Sequence, residues 1–275
     1  MLTAALAALT AAPLLGYLLG VNDPVWRVIT MLGDENAYIA LTALVYLLWS
    51  PELGFRLLLA LATSSWINVF AKSFFAVPRP PREHWKVEAS GYSFPSGHAQ
   101  TSATVWAFLS LSLRRWSMWA LSAAVVAAVS FSRVYLGVHR VEDVVAGAAF
   151  GAAIGGILYS VTQRLKLSGD KGALSLILYG LSVMALYAVY RNIIFFKVGG
   201  ALLGMAVYPL KVKGVEVREA PLRLKIAVTV GVVGFAYLMS KLAARLSGEI
   251  VTAIFHAGVV AVLSLSPLLL RTAKS

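Results

Sequence analysis

Cysteine is absent from this 275-residue chain, which excludes disulfides and thiol chemistry. Charge is scarce as well. Only 13% of residues are Asp, Glu, Lys or Arg, where soluble domains hold about 25%. Acidic residues are the rarer sign, 12 against 24 Lys and Arg, leaving a net charge of +12. No soluble basic module with interleaved aromatics accompanies that excess, so nucleic acid is not an expected partner. In a membrane protein, surplus Lys and Arg mark cytoplasmic loops instead. Asn and Gln number only four and two, a scarcity that thermophilic and membrane compositions share. Residues 2–20 lack the positive stretch that opens a signal peptide. They are expected to form a retained apolar helix, spanning or interfacial, bent at Pro13. Residues 21–35, with Asp23, Pro24, Arg27, Asp34 and Glu35, read as interfacial.

Apolar side chains are abundant: 59% of residues are hydrophobic and the mean hydropathy is +0.79. A bilayer core needs about 20 such residues per helix. Apolar runs lie near 36–50, 54–76, 98–113, 116–138, 141–163, 173–190, 192–210, 226–244 and 249–270. The expected fold class is therefore all-α, a polytopic helical bundle in a membrane. The longest polar stretches are 77–97 and 211–225. Pro78, Pro80, Pro81 and Pro95 make the first of these a loop.

Three separated motifs share one chemistry. The first is Lys72, six residues, then Arg79-Pro80; the second is Pro95-Ser96-Gly97-His98. The third is Ser132-Arg133, five residues, His139, three residues, Asp143. Counting helices places them together. Lys72 and Arg79 follow the second run, His98 opens the third, Arg133 ends the fourth and Asp143 opens the fifth. Helices alternate direction across a bilayer, so all these ends fall on one face.

The residue types suit a phosphoryl group. Lys72 offers a point charge, while Arg79 and Arg133 offer planar bidentate donors. Ser96 and Gly97 precede an apolar run, where backbone N–H groups at a helix start bind anions. Gly97 also allows close backbone approach. His139 and Asp143 stand one helical turn apart. The carboxylate can hold one imidazole nitrogen and leave the other to attack phosphorus. His98 suits the acid for the leaving group.

Each piece alone has a plainer reading. A lone Lys at a membrane edge snorkels, a Pro-Ser-Gly-His starts a helix, and His with Asp four apart forms a surface pair. Three complete motifs, in order and on one face, outweigh those readings. Two histidines and an Asp could hold a metal, but three adjacent cations oppose one, and no metal or other cofactor is expected. His84 and His256 lack partners in sequence and read as structural.

These motifs resemble the signature of the type-2 phosphatidic acid phosphatase and vanadium haloperoxidase superfamily. The resemblance covers residues 72–143 closely. It implies a six-helix core and a metal-independent phosphatase acting through a phosphohistidine. Carried over, Lys72, Arg79, Ser96, Gly97 and Arg133 would hold phosphate. His139 would be the nucleophile, Asp143 its partner, and His98 the acid and then the base for water. The implied organisation is an N-terminal apolar and interfacial segment over 1–35, a catalytic core over 36–190, and additional transmembrane helices over 191–275. The implied partners are the bilayer and a membrane lipid bearing a phosphate or diphosphate, phosphatidate-like or polyprenyl. A phosphotransferase, a vanadate-dependent peroxidase, a phosphatase of soluble esters such as sugar phosphates, and a non-catalytic lipid transporter remain open alternatives.

Two further expectations concern topology and packing. Setting aside the three phosphate cations, the loops on the motif face hold seven Lys and Arg and the opposite loops thirteen. The positive-inside rule then puts the motifs outside the cytoplasm. Gly147, Gly151 and Gly155, four apart among alanines, form a small-residue stripe expected to face a core helix.

Overall fold

The computed structural model describes residues 22–165, 167–217, 220–243 and 248–270. The expected helix over 2–20, with its bend at Pro13, lies outside them. The described residues are helical, with no strand among them. Helix α1 is Asn22–Met31, α2 Glu35–Leu44, α3 Pro51–Phe75, α4 Gly97–Leu113 and α5 Trp116–Tyr135. Then come α6 Val141–Arg164, α7 Gly169–Ala185, α8 Tyr187–Tyr190, α9 Ile194–Met205, α10 Leu222–Ala243 and α11 Glu249–Leu265. Among the described residues, six helical stretches are long and apolar enough to cross a membrane, or seven if the bent pair Asp23–Met31 with Glu35–Trp49 is one span. The chain is an integral, multi-pass membrane protein.

The elements follow the apolar runs with local departures. The run 36–50 is not one regular helix. Its last residues, Val45–Trp49, form a wider turn closed by Ser50 N–H donating to the Val45 carbonyl at 2.8 Å. The segment read as interfacial is mostly helix α1. Its Trp26 packs on Phe131 and Tyr135 of α5, with ring centroids 4.8 and 5.6 Å away.

The chain divides into two compact units. Among the described residues, the first comprises 22–38 and Thr63–Val161. In it α4 packs on α5, and α1 packs on α5. Leu121, Val125 and Val129 form a small core with Trp106. The glycine stripe meets α4: a Cβ at Gly147, Gly151 or Gly155 would lie 2.5, 2.2 and 2.5 Å from the carbonyl oxygens of Ser96, Gln100 and Thr104. Two backbones in such contact exclude every side chain larger than hydrogen. The stripe thus faces a core helix, as its spacing indicates.

The second unit comprises Ile39–Ala62 and the described residues from Thr162 to Leu270. There α9 packs between α7 and α11. Gly200 and Gly204 sit against the backbone of α11, at Ala253 and Ala257, and Gly199 sits against Gly180 of α7. Small residues let helices associate closely where lipid removes most of the hydrophobic driving force. Phe55 stacks on Tyr208 with centroids 4.1 Å apart.

Candidate active site

All three motifs meet within the first unit. Lys72 lies in the last turn of α3 and turns back onto the following loop. Its Nζ donates to the carbonyls of Tyr92 at 2.6 Å and Ser93 at 3.0 Å. Arg79 lies in the loop itself. Its guanidinium donates to the carbonyls of Ser90, Gly91 and Val138, and Nη1 lies 3.1 Å from His139 Nε2. One arginine therefore joins the loop to the α5–α6 corner.

That corner is tight. Gly137 has φ +73°, and a Cβ there would fall 1.8 Å from the His84 carbonyl oxygen. Only glycine fits both demands. The turn sets Arg133, at the end of α5, and His139, just before α6, on the same side. His139 Nδ1 is 3.4 Å from Asp143 Oδ2, and the two residues are 4% and 1% exposed. The Arg140 backbone N–H donates to the same carboxylate oxygen at 2.8 Å. Burial pushes the His139 imidazole down to about 4; the Asp143 hydrogen bond works against this, and the charges of Lys72, Arg79 and Arg133 add to it. The ring is neutral at neutral pH.

Ser96 precedes the first residue of α4, and its N–H donates to the Asp143 carbonyl at 2.9 Å. Its hydroxyl is fully buried and has no hydrogen-bond partner among the described residues. The first N–H groups of any helix also lack intrahelical acceptors. Gly97 presses on Asn68: a Cβ would lie 3.1 Å from Oδ1. His98 lies in the first turn, within electrostatic reach of Arg133, His139, Arg79 and Lys72. Arg133 Nη1 donates to Thr30 of α1 at 2.9 Å, and its buried Nε has no partner among the described residues.

The electrostatic balance is lopsided. Lys72, Arg79 and Arg133 rest on carbonyls, an imidazole and a hydroxyl, and none is ion-paired among the described residues. The nearby carboxylate, Asp143, is engaged by His139 and Arg140. Three partly desolvated cations on neutral partners, beside an orphaned hydroxyl and guanidinium N–H, make an arrangement that would suit a multiply charged anion.

Several contributors were not foreseen. Ser93 Oγ donates to Asp143 Oδ2 and lies 3.3 Å from His139 Nδ1. Asn68 donates to the Pro95 carbonyl at 3.3 Å and to Gln100 at 2.9 Å, and Gln100 donates on to the Ser64 carbonyl at 2.9 Å. This buried amide chain braces the start of α4 from beneath. Gly33 backs onto His98, where a Cβ would be 3.1 Å from the histidine Cβ. The polar residues at 64, 68 and 100 inside apolar runs were the available signal, since polar groups at membrane depth need partners. Thr30 and Gly33 carried no such signal. His84 is largely exposed beside Glu83, and His256 Nδ1 bonds the Thr252 carbonyl one helical turn back at 2.7 Å. Neither belongs to the cluster.

Comparison with known proteins falls on this region. The PAP2 superfamily model matches residues 53–167. An undecaprenyl-diphosphatase of Sulfolobus acidocaldarius is 33% identical over 128 residues, covering 44% of this chain and 62% of that protein. Phosphatidylglycerophosphatase B of Bacillus subtilis is 29% identical over 122 residues, covering 41% and 60%. This chain thus spans about three fifths of the length of each. A crystal structure of a transmembrane PAP2-type phosphatidylglycerolphosphate phosphatase from Bacillus subtilis is 27% identical, with a TM-score of 0.45, over 60% of this chain and 87% of that one. The stretch that matches the PAP2 superfamily model, residues 53–167, encloses all three motifs.

Proposed function

We propose that the protein is an integral-membrane phosphatase that hydrolyses lipid phosphates or diphosphates through a phosphohistidine. The observation that carries this reading is the unpaired cation cradle of Lys72, Arg79 and Arg133 set against a buried His139–Asp143 pair. The names of the relatives, an undecaprenyl-diphosphatase and a phosphatidylglycerophosphatase, support a lipid carrier for the phosphate.

The roles follow from the contacts. Lys72, Arg79, Arg133, the Ser96 hydroxyl and the Gly97 N–H hold the non-bridging oxygens. Arg79 Nη1 now faces His139 Nε2 at 3.1 Å and would exchange that lone pair for a phosphate oxygen. Nε2 then bonds to phosphorus as the bond to the leaving oxygen breaks. His98 protonates that oxygen. Asp143 holds Nδ1–H and stabilises the charge on the ring. In the second half His98 takes a proton from water, the hydroxide attacks phosphorus, and His139 leaves as neutral imidazole. The catalytic core is proposed over 36–190, with α1 as an added brace through Thr30 and Gly33, and 191–275 as additional spans. By loop charge the site opens outside the cytoplasm.

The motif residues end apolar helices, so the cradle lies at headgroup level, where a lipid already carries its phosphate. Phosphate release from phosphatidate, phosphatidylglycerophosphate and a polyprenyl diphosphate in detergent tests the class. Against a short soluble analogue and glucose 6-phosphate, kcat/KM for a long-chain substrate should be higher by about ten-fold or more. Equal or better turnover of the soluble esters would refute approach from the bilayer as the basis of specificity.

A further inference from the structure

We infer that Ser93 is a positioning residue for the nucleophile, a third member of the His139–Asp143 pair. The inference rests on the phosphohistidine reading above and adds a side chain that lies outside the three motifs. Ser93 is fully buried. Its hydroxyl donates to Asp143 Oδ2 and, through its own lone pairs, faces His139 Nδ1 at 3.3 Å. The direct distance from Nδ1 to Oδ2 is 3.4 Å, long for a charge-assisted bond. The imidazole proton therefore lies between two acceptors, and the serine oxygen is made a better one by giving its own proton to the carboxylate.

The backbone of Ser93 is equally committed. Its N–H donates to the Val77 carbonyl at 2.8 Å, and its carbonyl accepts from Lys72 Nζ at 3.0 Å. The residue thus ties a phosphate cation to the nucleophile. Fixing Oδ2 toward Nδ1 keeps the proton on that nitrogen and the lone pair on Nε2, the nitrogen facing Arg79. When Nε2 bonds phosphorus and the leaving oxygen takes the electron pair, the ring becomes cationic without losing its Nδ1 proton. The hydroxyl and carboxylate together share that charge. The contribution is made in the transition state, so its loss falls on kcat.

The test uses the full chain in detergent with one long-chain lipid phosphate and with vanadate as a phosphate mimic. Ser93→Ala should lower kcat about 10- to 100-fold, by analogy with loss of the hydrogen-bond partners that orient metal-ligating histidines. KM and the vanadate inhibition constant should stay within about two-fold. Ser93→Cys, similar in size but a weak donor, should lose kcat likewise, while Ser93→Thr should recover most of it. In an Asp143→Asn background, Ser93→Ala should cost less than about two-fold more, because the partner it acts through is gone. An equal loss in both backgrounds, or a raised KM with unchanged kcat, would reduce Ser93 to a loop anchor. If Ser93→Ala does not fold, the same comparison is made with Ser93→Cys. Inactivity of the wild-type chain on every phosphate ester would instead refute the phosphatase reading itself.

Discussion

At the scale of single residues, the proposed chemistry centres on His139. Its ring is buried and neutral, with Nε2 facing Arg79 and Nδ1 facing Asp143 and Ser93. His139→Ala should lower turnover by roughly 10⁴-fold or more, as loss of a nucleophile does elsewhere. Vanadate should still bind through Lys72, Arg79 and Arg133, and equilibrium dialysis against the inactive variant checks this. Loss of binding along with turnover would make His139 part of the cradle instead. The pH dependence has a definite sign. The folded imidazole sits near 4, below its ordinary 6.5. The neutral, nucleophilic ring therefore persists as pH falls through 6.5, and its acid limb in kcat/KM should appear near 4 once substrate ionisation is corrected. In the unfolded chain the ring takes its proton near 6.5. Stability present above that pH is lost as pH falls toward 4. An acid limb at 6.5, assigned to this ring by its absence in His139→Ala binding curves, would contradict the buried geometry.

At the scale of elements, the active site depends on how closely α6 can approach α4. Asp143 opens α6, and its carbonyl receives the Ser96 N–H at the start of α4. The glycine stripe continues that contact for two turns. At Gly151 even a Cβ would stand 2.2 Å from the Gln100 carbonyl oxygen, a backbone atom that cannot swing aside. Gly151→Leu should destabilise the protein by about 1–3 kcal/mol or more and lower activity with it. Thermal unfolding in detergent measures the first effect and phosphate release the second. A variant with unchanged melting behaviour would mean the helices part without consequence. Helix α1 matters at this scale too. It supplies Thr30 to Arg133, and its Asp23 receives Lys86 at 2.8 Å and the Tyr135 hydroxyl at 2.7 Å. The loop that carries Arg79 and Ser93 is thereby held to the α5–α6 corner by a segment far away in sequence.

At the scale of the whole molecule, the surplus of basic residues is a statement about orientation. If the run 192–210 spans, alternation of the apolar runs would place thirteen Lys and Arg opposite the motifs, against seven beyond the three motif cations on their own side. A cysteine placed at Arg82, in the loop between α3 and α4, should react with an impermeant label in intact cells. Protection in cells followed by labelling after lysis would reverse the orientation. The chain has no native cysteine, so the label reports that one site.

Composition and order alone determined the helical membrane class and most helix positions, and singled out the eight motif residues that the fold gathers in one unit, because each rests on local information. Apolar run length reports a span, and proline reports the 77–97 loop. The alternation of helices even brings the motifs to one face without any contact being known. The glycine stripe was legible for the same reason, since a spacing of four marks one face of a helix. What the tertiary structure decided is everything that depends on partners distant in sequence. Ser93 reads as one more loop serine until folding buries it against Asp143, 50 residues on. Thr30 meets Arg133 across 103 residues, and the Asn68–Gln100–Ser64 chain links one turn of α3 to the first turn of α4. A polar side chain's role is set by the acceptor it finds. Desolvation then makes that pairing obligatory, because a buried donor left unpaired costs about 1–3 kcal/mol, and neither the acceptor nor the burial is written at the residue's own position.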